Sequence, residues 1–216
     1  MDDEAIRVAV ALRPGIDPGS AHTCRCGANV DPSGVHSLAC RHAPGRAARH
    51  HALNDCIFRS LGTTGIPASK EPSGLVRAAG KWPDGCTLIP WCSGKALTWD
   101  VTVACTVADS YIQDSSRTTG AVAELAATRK EVKYSMLAGT HIFQALAFES
   151  HGPQNASATS FIKVFGHRIS QRSGDARETQ FLFQRLSVIL PRFNAFLARA
   201  FWLPLTTRTC NHTPLF

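Results

Sequence analysis

Two apolar segments joined by a short polar connection constrain the fold of this chain more than any other feature. The segments span residues 86–91 and 96–106, and the connection between them, residues 92–95, contains glycine, as a β-hairpin turn does. In the second segment Trp99 and Val101 alternate with Asp100, which is the two-residue period of a strand with two different faces. The pattern predicts two antiparallel strands, with Asp100 on the more polar face of the second.

The remaining periodic segments predict helices on both sides of this hairpin. The predicted helices cover residues 46–61, 120–137, 157–172 and 176–200, and two further strands cover 66–70 and 142–149. Counted from Arg46, the order is αβββαβ followed by C-terminal helices. This order indicates an α/β domain, although many unrelated α/β proteins share it. Pro191 is expected to kink or divide the last helix.

The composition narrows the class of protein. Of the 216 residues, 44% are hydrophobic, which is enough for a packed core and excludes global disorder. The net charge of +7 favours a polyanionic partner, but charge alone does not choose between nucleic acid, an acidic membrane and neither. The acidic start Met1–Glu4 is unlike a secretion signal, and no apolar segment approaches the roughly 20 residues of a membrane span. We therefore expect an intracellular protein without a membrane partner.

Three cysteines and a histidine near the N-terminus form a candidate zinc knuckle. They are Cys24, Cys26, His36 and Cys40. Three thiolates and one imidazole make the closed ligand set of structural zinc, without the open position of a catalytic zinc. Unligated thiols in an intracellular loop are the alternative, and His22 and His42 are alternative ligands.

Two acidic residues are candidates for a catalytic metal site. Asp84 opens the first strand of the hairpin and Asp100 lies in the middle of the second, so antiparallel pairing brings them close together. Two carboxylates aimed at one point repel each other unless a cation such as Mg²⁺ or Mn²⁺ lies between them. Glu71, at the end of the preceding strand, is a candidate third ligand. The alternatives are a turn cap at Asp84, a solvent-facing Asp100 and an ordinary exposed glutamate.

Basic residues on the predicted helix 120–137 are candidates to assist that metal. Lys130 and Tyr134 are four residues apart and share a face, whereas Lys133 points elsewhere, so we expect one of the two lysines to reach the site. A lysine there could orient the attacking water or neutralise charge in the transition state. A solvated basic face is the alternative.

The start of the first core helix is a candidate DNA contact. Arg46, Arg49 and His50 lie there, and DNA phosphates are commonly bound by arginine and by helix N-termini. Tyr134 is a further expected DNA-binding residue. A solvent-exposed basic turn is the alternative for the helix start.

The order of these motifs resembles that of a known family. A Cys-Cys-His-Cys cluster is followed by an Arg-His pair, a Pro-Asp pair, an aspartate on the next strand and lysines on a helix. This set is similar to the restriction-like endonuclease domain of site-specific non-LTR retrotransposons, a PD-(D/E)XK nuclease at the C-terminal end of a reverse-transcriptase polyprotein. The similarity extends over about residues 2–194 and is carried by the segments RHHALND, KEPSGL, PDGCTLIPW, WDVTV and FLFQRLSV.

The resemblance implies a metal-dependent endonuclease that nicks double-stranded DNA in the nucleus and exposes a 3′ end for target-primed reverse transcription. RNA and a reverse transcriptase domain are the further partners that it implies. Its catalytic pair maps onto Asp84 and Asp100. Thr102 stands where the family has a lysine, so a lysine displaced onto the following helix, Lys130 or Lys133, is expected to replace it. A catalytically inactive, zinc-containing nucleic-acid-binding remnant of the nuclease fold is the alternative.

The expected organisation has three parts. Residues 1–45 hold a helix and the zinc segment, residues 46–202 form the PD-(D/E)XK nuclease domain, and residues 203–216 form a disordered tail. The chain departs from the family at Trp82, where a basic residue is usual, and after Asn194. Neither departure removes a predicted metal ligand.

Overall fold

The computed structural model describes residues 1–43, 45–75 and 82–202, and the predicted tail 203–216 lies outside the described residues. In chain order, the described helices and strands are α1 (Asp3–Ala11), β1 (His22–Thr23), β2 (Asn29–Val30), α2 (Val35–Ala39), α3 (Gly45–Thr63), β3 (Ala68–Lys70), β4 (Gly85–Thr87), β5 (Ala96–Ala104), α4 (Ile112–Arg117), α5 (Ala121–Lys133), β6 (His141–Glu149), α6 (Ala156–Ser173) and α7 (Glu178–Trp202). A 3₁₀ turn at Ser135–Leu137 follows α5. Among these helices, none has both the length and the apolar character needed to cross a bilayer.

A mixed four-stranded sheet forms the centre of the α/β fold. Its strand order is β3-β4-β5-β6. The first three strands pair antiparallel, whereas β5 and β6 pair in parallel. A parallel pair requires a crossover connection, which α4 and α5 supply. The predicted αβββαβ order is confirmed, with α4 as an additional short helix before α5.

The predicted hairpin is present, but its first strand is shorter than predicted. An antiparallel bridge between Cys92 and Lys95 closes the turn. Strand β4 ends at Thr87 because Leu88 and Ile89 turn outward and are exposed, and the proline that follows them cannot donate a ladder hydrogen bond. The exposed pair therefore belongs to the connection rather than to the sheet.

Pro191 lies inside α7 and does not divide the helix, so the prediction of a divided helix is wrong. A proline leaves the carbonyl four residues earlier without its usual donor. Here that residue is Ser187, which is exposed and accessible to water. On the opposite face, Leu186, Leu190 and Ala195 are buried in apolar clusters and hold the helix on both sides of the proline.

Helices cover both faces of the sheet. On one face, Trp99 and Leu146 pack against buried residues of α3, α6 and α7. On the other face, Ala145 and Ala147 pack against one valine and three alanines of α5. Because these side chains are small, α5 lies close to the sheet, and its C-terminal turn reaches the middle of β5.

The N-terminal segment packs on α7. Ala5 and Val8 of α1 share a buried cluster with two alanines of α7. Leu38 of α2 shares another cluster with Leu197 of α7 and with two of the N-terminal cysteines. Apolar contacts therefore join residues 1–43 to the helices that cover the sheet.

Gly85→Ala is expected to lower the free energy of unfolding by about 1–3 kcal/mol. A Cβ at this buried strand position would lie 2.0 Å from the Trp99 indole, which is fully buried. The matched control is Gly62→Ala in α3, where a Cβ would meet nothing within 4 Å and the higher helix propensity of alanine stabilises the helix. Urea unfolding measures both variants, and equal stability would contradict the close approach of Gly85 to Trp99.

Candidate functional site

Asp84 and Asp100 lie opposite each other across the β4–β5 pair. The antiparallel register pairs Gly85 with Trp99, and one further step places Asp84 beside Asp100. The Val101 N–H donates a hydrogen bond of 2.5 Å to Asp84 Oδ2, which fixes this carboxylate against β5. The predicted juxtaposition of the two acids is confirmed.

Asp100 is a buried carboxylate with a cationic and a hydroxyl partner. Its side chain is 4% exposed, and Lys130 Nζ lies 2.5 Å from its Oδ1. The Tyr134 hydroxyl donates to its Oδ2 at 2.8 Å. Burial, and then the Asp84 carboxylate, raise the pKa of Asp100, while Lys130 and Tyr134 oppose the rise. Among the described residues, Asp100 Oδ1 has no hydrogen-bond partner besides its ion pair with Lys130, so this oxygen keeps acceptor capacity for a cation.

The two candidate lysines of α5 occupy different places. Lys130 and Tyr134 both contact Asp100, as their four-residue spacing on one helix face predicts. The Lys133 ammonium instead lies 2.7 Å from the Tyr134 hydroxyl and 4.4 Å from the centre of its ring. Lys130 therefore contacts Asp100 directly. Lys133 contacts Tyr134, whose hydroxyl donates to Asp100.

Tyr134 is buried, which is incompatible with the predicted DNA contact. Only 1% of the residue is exposed, and its hydroxyl also lies 3.1 Å from the Trp82 carbonyl oxygen. Burial, followed by the hydrogen bond to Asp100, raises the pKa of Tyr134, so the phenol stays a neutral donor. The side chain orients Asp100 from inside the protein, because the helix face that reaches β5 is turned towards the core.

His50 contacts the acidic pair from α3. Its Nε2 lies 2.9 Å from Asp84 Oδ2. This hydrogen bond raises the pKa of His50, while burial opposes the rise. About a third of the side chain is exposed, at 32%, so the imidazole faces both Asp84 and the solvent. The predicted DNA contact of His50 is compatible with this position, and the structure adds Asp84 as its partner.

Asn54 is a residue of this site that the sequence analysis missed. Its Nδ2 donates to the Asp84 carbonyl at 3.2 Å, and its Oδ1 accepts from the Trp99 indole N–H at 2.8 Å. Asn54 lies one helical turn after His50, on the same side of α3. That spacing is the signal that could have identified it.

Arg49 is buried, which contradicts the predicted DNA contact. It is 2% exposed, and its Nη1 donates to Asn194 Oδ1 at 2.7 Å. Asn194 in turn donates to the Ser150 carbonyl at 2.6 Å. Burial lowers the pKa of Arg49 to about 10, which leaves the guanidinium charged at neutral pH. Arg49 lies on the side of α3 that packs against α7, whereas Arg46 is exposed at the helix start and accessible to a phosphate.

Glu71 approaches the site through its backbone alone. Its N–H donates to the Asp84 carbonyl at 3.2 Å, its φ of 46° lies in the left-handed region, and its side chain is exposed. Within residues 1–43, 45–75 and 82–202, it forms no group of three metal-ligand residues with Asp84 and Asp100. The geometry does not support the predicted third ligand.

The four predicted zinc ligands converge near the N-terminus. The ligand atoms of Cys24, Cys26, His36 and Cys40 all lie within 4.8 Å of one another. The sulfurs of Cys24 and Cys40 are 3.8 Å apart, and Cys26 Sγ is 3.3 Å from His36 Nε2. Zinc–sulfur bonds of about 2.3 Å at tetrahedral angles would separate two sulfurs by about 3.8 Å. The donor set and its spacing therefore fit a structural zinc ion. His22 and His42, the alternative ligands, are outside this group.

Local structure explains how this cluster forms. Strands β1 and β2 make a hairpin in which the Cys24 N–H donates to the Ala28 carbonyl at 2.9 Å. Gly27, with a φ of 87°, permits the tight turn between them, and α2 brings the remaining two ligands. Burial raises the pKa of Cys24 to about 11, so this thiol requires a bound cation to be held as a thiolate at neutral pH.

Comparisons with protein-family models and with curated proteins identify no relative of this chain. A scan against protein-family models finds no match, and a search of curated proteins finds no significant similarity. The assignment of function therefore depends on the residues and geometry described above.

Cys26→Ser is expected to reduce bound zinc from about one ion per chain to less than half an ion. The same loss lowers the unfolding temperature, because the cysteine segment packs on α7. Cys92→Ser is the matched control, since Cys92 is also exposed but lies outside the cluster. Elemental analysis of the purified proteins and thermal unfolding measure both effects. Equal zinc content in the two variants would show that Cys26 is not a ligand.

Arg49→Ala is expected to lower the free energy of unfolding by about 2–3 kcal/mol, because it leaves a buried amide without its donor and removes a packed side chain. Arg46→Ala, the exposed counterpart, is expected to change stability by less than about 0.5 kcal/mol. If Arg46 binds a DNA phosphate, its loss also reduces the slope of log affinity against log salt by about 0.9. Denaturant unfolding and fluorescence anisotropy distinguish the two roles, and unchanged stability of the Arg49 variant would contradict the burial described here.

Proposed function

We propose that this chain is a metal-dependent DNA endonuclease of the PD-(D/E)XK class. The observation that carries the proposal is the paired carboxylates of Asp84 and Asp100 on adjacent strands, with the Lys130 ammonium 2.5 Å from Asp100. Two acids that can share a divalent cation, with a cation of the chain beside them, form a group suited to phosphodiester hydrolysis. The mixed sheet and its αβββαβ order support the same class.

A divalent cation fits the acidic pair. The Asp84 carboxylate raises the pKa of Asp100, and Asp100 Oδ1 contacts no donor besides Lys130 in the described part of the chain. A cation between the two acids would relieve the repulsion and use this oxygen. Hard oxygen ligands of this kind are preferred by Mg²⁺ and Mn²⁺. When bound, the ion supplies activation of water and stabilisation of negative charge on the scissile phosphate.

Residues of the chain orient the acids and supply positive charge. Val101 N–H and His50 hold Asp84, and the buried Tyr134 hydroxyl holds Asp100. The Lys130 side chain is 27% exposed, so its ammonium faces both Asp100 and the solvent from which DNA approaches. From there it can contact a phosphate oxygen and neutralise charge that develops in the transition state.

Lys130 replaces the lysine that the motif usually carries on the strand of the second acid. Thr102 occupies that strand position, two residues after Asp100. The lysine from α5 reaches the same carboxylate because α5 packs on the sheet through small side chains. We infer that the chemical role of the motif lysine has moved from the strand to the helix.

We extend the proposal to nicking of double-stranded DNA during integration of a non-LTR retrotransposon, with zinc as a structural ion in the cysteine cluster. The order of motifs along the chain supports this role, and the net charge of +7 suits a DNA partner. RNA and a reverse transcriptase domain are the further partners expected on this proposal.

Asp84→Asn and Asp100→Asn are each expected to reduce the rate of plasmid nicking by about 100-fold or more. The assay incubates supercoiled plasmid with Mg²⁺ or Mn²⁺ and follows the relaxed form on a gel. DNA affinity measured in Ca²⁺ serves as the control, because a folded variant that still binds DNA has lost chemistry alone. Salt-sensitive DNA binding without metal-dependent nicking by the parent protein would instead identify an inactive nucleic-acid-binding remnant.

Lys130→Ala is expected to slow nicking by about 100-fold, because it removes the ammonium next to Asp100. Lys133→Ala is the comparison: it removes a second lysine from the same helix, and we expect a loss of less than about tenfold, since Lys133 contacts Tyr134 rather than a carboxylate. Single-turnover nicking rates compare the two variants. An equal or larger loss in the Lys133 variant would assign the catalytic role to the other lysine.

A further inference from the structure

A groove between α3 and α7 lies apart from the acidic site. It has a volume of about 740 Å³ and is lined by residues of both helices, among them Cys56 and Arg59 of α3. At 3.6 residues per turn, Arg59 lies on the opposite side of α3 from His50. The groove therefore opens away from Asp84 and Asp100.

The groove combines an apolar floor with a basic rim. The groove is lined by the apolar side chains of Val188, Ile189 and Phe193, here called the floor. It is also lined by Arg59, Arg185 and Arg192, here called the rim. Val188 is 52% exposed, although it belongs to a helix whose opposite face is buried in the core. An exposed apolar surface bordered by charged groups is typical of an interaction site.

The rim of this groove carries a net positive charge. Asp55, the acidic residue that lines the groove, is neutralised by a lysine of β3. Arg185 lies 3.4 Å from Glu178, in an exposed pair that contributes little. In the described part of the chain, neither Arg59 nor Arg192 forms an ion pair. The charges of the rim are therefore accessible to an anionic partner.

We propose that this groove binds an acidic amphipathic helix of a partner protein. Its α3 wall extends from Ala52 to Thr63, a length of about 16 Å or three helical turns. A helix in the groove would place apolar side chains at positions i, i+4 and i+7 on the floor. Glutamates on either side of that row would contact the arginines of the rim.

A nucleic acid fits the groove less well than an acidic helix. Phosphate oxygens would satisfy the arginines, but the backbone of a nucleic acid would leave Val188 and Phe193 against charged groups. A helix with one apolar face and acidic flanks satisfies both parts of the surface. Its binding does not require the acidic pair Asp84 and Asp100, so it is independent of the proposed nuclease function.

The test uses a fluorescent model helix of about 18 residues, with leucines along one face and glutamates elsewhere. A peptide with lysine at every glutamate position is the charge control. The full chain is compared with the double variant Arg59→Glu/Arg192→Glu and with the matched variant Arg117→Glu/Lys163→Glu, which reverses two exposed charges outside the groove. We expect the acidic peptide to bind, and the groove variant to bind it at least about tenfold more weakly. The matched variant should bind like the parent chain.

A second readout is alkylation of individual cysteines by iodoacetamide, measured by mass spectrometry. Bound acidic peptide should slow alkylation of Cys56, which lines the groove, and leave the exposed Cys92 unchanged. The proposal is overturned if the acidic peptide does not bind, if the lysine peptide binds equally well, or if both double variants lose the same affinity. Protection of Cys56 by duplex DNA, or by self-association at high protein concentration, would assign the groove to a different occupant. All measurements omit divalent ions, so loss of nicking activity cannot affect them.

Discussion

Asn54 forms two hydrogen bonds that connect α3 to both strands of the acidic site. It donates to the backbone of Asp84 and accepts from the indole of Trp99. Because Asn54 is buried, loss of either bond would leave a buried polar group of this side chain without its partner. Trp99 in turn fills the space above Gly85. The position of the two acids relative to α3 therefore depends on this amide, while the β4–β5 pairing and the Val101 N–H hold the acids to each other.

The fold was largely predictable because most elements have strong local patterns. The α5 segment is rich in alanine and other helix formers, and the alternation around Trp99 indicates a strand. The exceptions arise where tertiary contacts, rather than the local sequence, determine where a strand or helix ends. Strand β4 ends at Thr87 because the side chains that follow are exposed. Helix α7 continues through Pro191 because residues on both sides of the proline are buried in apolar clusters. Neither effect is visible in a local window of sequence.

The acidic pair and the cysteine cluster of the site could be predicted from the sequence, because the chemistry of these residues allows few roles. The residues of α3 were harder to place because their roles depend on helix phase. Arg49 and His50 are neighbours in sequence, yet one is buried against α7 and the other contacts Asp84. A basic residue near a helix start says nothing about the direction in which it points. Tyr134 was misassigned for the same reason.

The unequal lengths of the strands give the two acids unequal mechanical support. Asp100 lies within a nine-residue strand that pairs with β6 along its whole length, whereas Asp84 immediately precedes a three-residue strand. Transient opening of the short strand would separate the acids while the longer ladder stays intact, so amide protons near Asp84 would exchange with solvent faster than those near Asp100. A ligand held by both carboxylates would bind the closed form alone and suppress this opening by mass action. Because of this asymmetry, hydrogen exchange of the β4 amides would report directly whether a ligand is bound between the two acids.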